Sequence, residues 1–268
     1  MQKKDRYTIK KFPRIRQATV DLLKAAKRKN MIHSFIEVDI TKARSLLRER
    51  KRQTGDYISL TGFIIHCVAV AVEQQKHVHA YRDWLNRLIL FDDVDVSITI
   101  ERKVGGENEV VAAIIRAANR KTVTGISREI QEEKQKNVRD AEVFRLIHLY
   151  LAIPAFIRRL VFIFLDRSPG QMKKRAGTIM VTSVPMVGVG AGWGLPIASH
   201  TLNITVGAVI KRPKEIEGKV VNREHICLTV SFDHDIVDGA PAARFIRQLT
   251  KLLESGQSML DSQSGCYS

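Results

Sequence analysis

Apolar and polar positions change period several times along this chain. In "HICLTVSF", residues 225–232, Ile226, Leu228, Val230 and Phe232 alternate with Cys227, Thr229 and Ser231. A period of two predicts a strand buried on one face. Beyond it Ala242, Phe245, Ile246, Leu249, Leu252 and Leu253 recur at helical spacing, just after an Asp238-Gly239 turn, which predicts a helix. Upstream, helices are predicted over residues 13–30, 41–53 and 59–75, the last apolar on more than one face. Strands are predicted at 33–40, 87–91, 94–101, 109–117, 177–184 and 202–213, with "KVGGEN" (103–108) as the turn of a hairpin and a polar helix after it. Helices and strands mix without βαβ regularity or repeat, so the fold class is α/β: one mixed sheet with helices packed against it. No linker divides the body at 13–256, which lies between a basic segment (1–12) and a polar tail (257–268).

Composition narrows the function classes. With 268 residues, 44% of them hydrophobic, the chain has enough apolar surface for a substantial core. Cys67, Cys227 and Cys266 are scattered, with no metal or redox spacing, which suits a reducing compartment. The N-terminus lacks the apolar run of a signal peptide, so a cytoplasmic protein is expected. The net charge is +16, and the first 52 residues carry 17 Lys and Arg against 5 Asp and Glu. Such a segment suits phosphates: nucleic acid, anionic lipid or coenzyme A. There is no zinc-finger spacing or aromatic-bearing RNA-binding signature, and aromatics are only 6%. Much of the charge in "RSLLRERKRQ" falls on the solvated face of a helix, so nucleic acid is not an expected partner.

The candidate chemistry lies in "SFDHDIVDGAPAARF", residues 231–245, where a core strand ends and a helix begins. Polar groups at such junctions are often functional. A calcium loop would need a glutamate twelve positions from its first ligand; Asp233, Asp235 and Asp238 miss that register, and position 244 is Arg. Taken alone, the segment reads by default as a structural Asp-Gly turn.

The rest of the chain changes that reading. His-x-x-x-Asp-Gly after "SFD" and before "AARF" resembles the active-site motif of the dihydrolipoamide acyltransferases, the catalytic cores of 2-oxoacid dehydrogenase complexes. "PRIRQATVDLLKAAKRKNMIHSFIEVDIT" is similar to that family's opening helix and strand, and "SLTGFIIHCVAVAV" to its long buried helix. "VDVSITIERKVGGENEVVAAIIRAANRKTVTGISREI" resembles its central hairpin, and "GTIMVTSVPMVGV" stands at its Ser-Asn-Leu-Gly strand and turn. The resemblance covers about residues 13 to 256 and implies the two-layer fold that the family shares with chloramphenicol acetyltransferase. It further implies acyl transfer between a thioester of coenzyme A or lipoamide and a thiol, hydroxyl or amine, with no covalently bound cofactor and no metal. The expected assembly is a homotrimer with the site between subunits, meeting acyl-coenzyme A or a lipoyl carrier.

In this register His234 is the general base, since imidazole titrates near neutral pH. Thr182 takes the family's serine position, 52 residues before His234, where a hydroxyl donor stabilises the oxyanion by about 3 kcal/mol. Asp238 would fix the loop or offset a nearby cation, which the resemblance places on the first helix at Arg16, with Arg14 a close competitor. Ser183 and Gly239, in the matched turns, and His33, on the strand that lines the acyl channel in relatives, join Arg16 as substrate-binding candidates.

Several features depart from the family pattern. Asp235 replaces the usual Arg after the histidine, a charge reversal that favours protonated imidazole. The serine turn has become Thr182-Ser183-Val184-Pro185. No lipoyl-lysine context, Ala/Pro-rich linker or room for a subunit-binding domain precedes the core, so a standalone trimer is expected rather than a cage. A non-catalytic trimeric scaffold of the same fold is the alternative. The most distinctive segment is the apolar insert at about 140–175. Residues 146–165 hold 13 Leu, Ile, Val and Phe, interrupted by His148, Pro154, Arg158 and Arg159. The apolar residues gain about 4 to 8 kcal/mol on membrane insertion and two central arginines cost about 5 to 7, so no span is expected. A buried hairpin kinked at Pro154 is expected. The alternative is a lipid- or acyl-facing surface, with Arg158, Arg159, Lys173, Lys174 and Arg175 against anionic headgroups. "GVGAGWG" (188–194) reads as a loop near the channel covered by Trp193, His200 as a residue near the site, and His66 as core.

Overall fold

The computed structural model describes residues 7–9, 12, 14–55, 57–104, 107–136, 149–184 and 190–256. Most of the basic N-terminal segment, the polar tail, the start of the insert, and the turn residues at 105–106 and 185–189 fall outside these. Six strands form one mixed sheet in the order β1-β8-β7-β6-β4-β5. They are β1 (Met31–Asp39), β4 (Val96–Val104), β5 (Glu107–Ile115), β6 (Ile179–Ser183), β7 (Leu202–Ile216) and β8 (Lys219–Asp233). Strand β6 runs parallel to both its neighbours, and the other pairings are antiparallel. A separate small hairpin pairs β2 (Tyr81–Arg82) with β3 (Leu88–Ile89). The helices are α1 (Arg14–Ala26), α2 (Thr41–Thr54), α3 (Leu60–Gln74), α4 (Val123–Gln135), α5 (Ala155–Asp166), α6 (Pro169–Ala176) and α7 (Gly239–Ser255).

The period-two pattern becomes a sheet with two different faces. Ile32, Phe232, Leu202 and Ile179 stand opposite one another across β1, β8, β7 and β6, as do Val230, Ile204 and Val181 two residues on. All but half-buried Ile32 lie in the core. Residues in between point the other way: His33, Ser231, Asn203 and Met180 form one row, and Phe35, Thr229, Thr205 and Thr182 the next. Helices cover the apolar face. Nine of the fifteen residues of α3 are buried, and its first turn is capped by Ser59, whose Oγ accepts from Gly62 N at 3.0 Å. Phe245 of α7 packs edge-on against Phe232, ring centroids 5.7 Å apart. Truncating either ring to Ala would cost about 3–5 kcal/mol.

The one mixed sheet with packed helices matches the sequence expectation, and four details differ. The strand expected at 87–91 shrinks to Leu88–Ile89, because Asp83 Oδ1 accepts from Leu85 N and Arg87 N at 2.9 Å and pulls the chain into a tight turn. Strands β7 and β8 run on as a two-stranded ribbon to Ile216 and Lys219, where exposed polar residues hide the alternation. Helix α1 ends at Ala26, and Lys27 to Lys29 form a turn. The insert does break at Pro154, which becomes the N-cap of α5. Its expected burial does not hold: Phe156, Leu160 and Phe164 are 65%, 59% and 53% exposed. Arg158, which the alternative reading set against headgroups, is buried and donates to Asp21 Oδ2 of α1 at 2.8 Å. Its guanidinium also donates to Ile153 O at 2.8 Å, so the charge is compensated inside the fold.

Candidate active site

The end of β8 is held residue by residue by the turn that follows α1. Lys29 Nζ contacts Asp233 Oδ2 at 3.0 Å and Asp166 Oδ1, at the end of α5, at 3.2 Å. Asn30 O accepts from His234 N at 2.7 Å, and Asn30 Nδ2 donates to Asp235 Oδ1 at 2.9 Å. Asp233 O in turn accepts from Ile236 N and Val237 N, closing the loop, while Val237 is fully buried beneath it. The β1–β8 register, with Met31 opposite Asp233, brings Lys29 and Asn30 beside this loop. The backbone is thereby fixed while the imidazole of His234 stays half exposed, with its side chain at 47%.

Asp238 is the N-cap of α7, yet its carboxylate makes no capping hydrogen bond. It stands 3.7 Å from His234 Nδ1, beyond hydrogen-bond length, and is 84% exposed. Arg16 lies exposed on α1, and among the described residues no ion pair joins it to Asp238; the side chain of Arg14 lies outside the described residues. Asp235, the departure from the family motif, directs its carboxylate to Asn30 and, at 3.9 Å, to Arg82. Gly239 opens α7, and a Cβ built there would meet no atom within 4 Å. The protein's own packing therefore does not demand glycine at that position.

His33 sits on the polar face of β1, sharing a 2.8 Å hydrogen bond with Ser231 Oγ, and burial lowers its pKa. It is opposite Ser231, three residues before His234, so the two imidazoles share one end of the sheet. Thr182 does not. It is level with Thr205 and Thr229, two strands from β8 and five residues back from His234. At about 3.4 Å per residue and 4.8 Å per strand, that is about 20 Å. Ser183 is the next residue, so it points to the opposite face from Thr182, beyond the end of the core. The hydroxyls of Thr205 and Thr229, in the row of Thr182, are buried and find no hydrogen-bond partner among the described residues.

Other predicted residues resolve into structural roles. His200 is buried with Nε2 on Ala176 O at 2.8 Å and Nδ1 on Ser199 Oγ at 2.9 Å, and burial pushes its pKa down to about 4. His66 is half-buried and bonds Lys121 O through Nδ1. Trp193 donates from Nε1 to Ile36 O at 3.1 Å, tying the 190–194 loop to β1. The same loop presses Gly192 O onto β7, where a Cβ on Gly207 would lie 2.2 Å from it. Among the described residues no group of three or more His, Cys, Asp and Glu is placed to hold a metal ion.

Sequence reasoning missed Lys29, Asn30, Asp166 and Arg82. All but Asn30 line a pocket behind the loop, together with Arg28, Tyr81, Arg167, Asp233, Asp235 and Ile236. The "KRKN" run read as the basic end of a helix; only the pairing of β1 with β8 assigns it to the histidine loop.

Comparison with known proteins gives a consistent picture. The family model for 2-oxoacid dehydrogenases acyltransferase (catalytic domain) matches residues 4–142 and 166–260, leaving out 143–165. The lipoamide acyltransferase component of the branched-chain alpha-keto acid dehydrogenase complex of Bacillus subtilis is 23% identical over 240 residues, 87% of this chain and 48% of its own length. The chain thus spans about half the length of the curated relatives it matches. Among solved structures, a probable dihydrolipoamide acetyltransferase from Listeria monocytogenes superposes with a TM-score of 0.66 at 20% identity, covering 93% of this chain and 95% of that one. Dihydrolipoamide acetyltransferase of Azotobacter vinelandii gives 0.67 at 17%, covering 94% of each. A chloramphenicol acetyltransferase gives 0.50 at 13%, covering 87% and 94%. The fold is the one these proteins share.

Proposed function

Because the chain belongs to the 2-oxoacid dehydrogenase acyltransferase catalytic-domain family, we propose that it moves an acyl group between a coenzyme A thioester and a lipoamide-type thiol, at a site shared by neighbouring copies of a homotrimer. The observation that carries the reading is the fixed backbone and free imidazole of His234, set beside Asp238 at the mouth of α7. In the A. vinelandii enzyme, a serine, a histidine 52 positions on and an asparagine four further were investigated for their roles in catalysis. Thr182, His234 and Asp238 have the same spacing, with threonine for serine and aspartate for asparagine.

In this reading His234 takes the proton from the incoming thiol, and the thiolate attacks the thioester carbonyl. The oxyanion accepts a hydrogen bond from the Thr182 hydroxyl, and the intermediate collapses as the departing thiolate recovers the proton from His234. The acyl group passes directly, and no bond forms to the protein. Asp238 stands 3.7 Å away on the Nδ1 side of the ring, leaving the other nitrogen to meet substrate. Thr182 lies too far from His234 of its own chain to take part there. A second copy must supply it, which the closed symmetry of a trimer allows.

Mass spectrometry of products, after incubation with a panel of acyl-coenzyme A species and dihydrolipoamide, tests the proposal. Acyl-dihydrolipoamide should appear with wild-type protein and be absent with His234→Ala, whose backbone contact to Asn30 remains. Equal product from the variant would remove the mechanism.

A further inference from the structure

Helix α5 is inside out. Its buried side carries Arg158, paired with Asp21. Its exposed side carries Phe156, Ile157, Leu160, Val161 and Phe164, each at least 39% exposed. Those positions fall at i, i+1, i+4, i+5 and i+8, one continuous stripe along the helix. Leu149, just before the Pro154 break, is 67% exposed as well. The stripe continues onto a second element: Trp84, at the tip of the β2–β3 hairpin, lies 6.2 Å from Phe164 and donates from Nε1 to Ser168 Oγ at 3.3 Å. Trp84 and its neighbour Leu85 are themselves 54% and 70% exposed.

A contiguous apolar surface drawn from two elements marks an interaction site. Its α5 part lies within residues 143–165, which the family model skips, whereas Trp84 and Leu85 lie in the matched region. Charge selects the occupant. Apart from Arg158, which is paired with Asp21, residues 149–176 contain five Lys and Arg against one Asp, within a chain of net charge +16. Lys174 and Arg175 are exposed in the last turn of α6, which follows directly on the stripe. Two copies meeting through this face would bring like charges together. An anionic lipid surface complements both the charge and the apolar stripe, and aromatic rings such as Trp84 suit the boundary between headgroups and acyl chains. No described helix is long and apolar enough to cross a membrane.

We propose that the outward stripe of α5, with the Trp84–Leu85 hairpin tip, docks the protein on the surface of an anionic bilayer. The helix lies in the interface plane, and Lys174 and Arg175 meet lipid phosphates. Neither His234 nor Thr182 takes part, so docking is separable from catalysis.

Flotation of the assembled wild-type protein with vesicles tests this. Binding is expected to vesicles of phosphatidylcholine containing phosphatidylglycerol, weaker binding to phosphatidylcholine alone, and release by high salt. The double variant Leu160→Ser/Phe164→Ser should bind at least about tenfold less, with its melting temperature and oligomeric state unchanged. Lys174→Glu/Arg175→Glu gives an independent reading through charge alone and should lose binding to the anionic vesicles; it decides the matter if the first variant misfolds. A wild type that ignores anionic vesicles, or variants that bind as it does, overturns the proposal. A double serine variant that changes oligomeric state overturns it too, because the face is then an interface between copies.

Discussion

Thr182 in β6 and His234, one residue past the end of β8, stand about 20 Å apart, two strands across and five residues along. The His234 end also gathers His33, Asp238 and Gly239, while Thr182 faces the polar side alongside Thr205 and Thr229. A hydroxyl and an imidazole that act on one thioester must approach within a few ångströms, so within one copy these two cannot meet the same thioester.

The oxyanion role proposed for Thr182 is separable from its shape. Thr182→Ser should retain turnover, and Thr182→Val should lower kcat by about a hundredfold or more with the fold intact. Steady-state kinetics on both variants measures this, and a valine variant as fast as wild type places the donor elsewhere.

Lys29 joins three elements through Asp166 and Asp233, both of its contacts lying within 3.2 Å. In Lys29→Met the Asp233 carboxylate, 5% exposed, loses its cation. Chemical denaturation should show a loss of about 3 kcal/mol or more, and kcat should fall as the histidine loop loosens. An unchanged midpoint would show that the pair is not needed to hold the loop.

Two phenylalanines two positions apart on α5 should behave oppositely. Phe162 packs edge-on against Tyr150, ring centroids 6.5 Å apart, whereas Phe164 points outward. Phe162→Ser should destabilise by about 2–4 kcal/mol and Phe164→Ser by less than about 0.5. Equal melting temperatures for the two variants would contradict the orientation of the helix.

Stability should fall below neutral pH. Burial pushes both His79 and His200 from 6.5 down to about 4. Above 6.5 neither state binds the proton; between 6.5 and 4 the unfolded chain takes up two protons that the folded one refuses. Stability is therefore lost as pH falls through that window, with a slope of up to about 3 kcal/mol per pH unit. Urea unfolding at a series of pH values reads it, and a flat profile from pH 7 to 4.5 would contradict the buried neutral rings.

The sheet was legible because Ile226, Leu228, Val230 and Phe232 alternate cleanly, and the buried helix because α3 is apolar all round. The motif at Asp233 to Gly239 stood out as chemistry at a strand end. Its support did not: Lys29 reaches Asp233 across 204 residues, a contact that exists only once β1 pairs with β8. The insert misled for a related reason. Apolar residues outnumber charges in it, which reads as core, but Asp21 draws Arg158 inward and leaves the hydrophobic stripe outside.

The most direct test of a site shared between copies is to mix two inactive variants. His234→Ala and Thr182→Val chains, co-expressed in equal amounts, assemble at random. If each site takes its histidine and its threonine from different copies of a trimer, about a quarter of the sites regain both wild-type residues. Turnover of the mixed assembly should then rise to about a quarter of wild type, far above either variant alone. A mixture that stays at the level of its parents would place both groups in one chain and contradict the account.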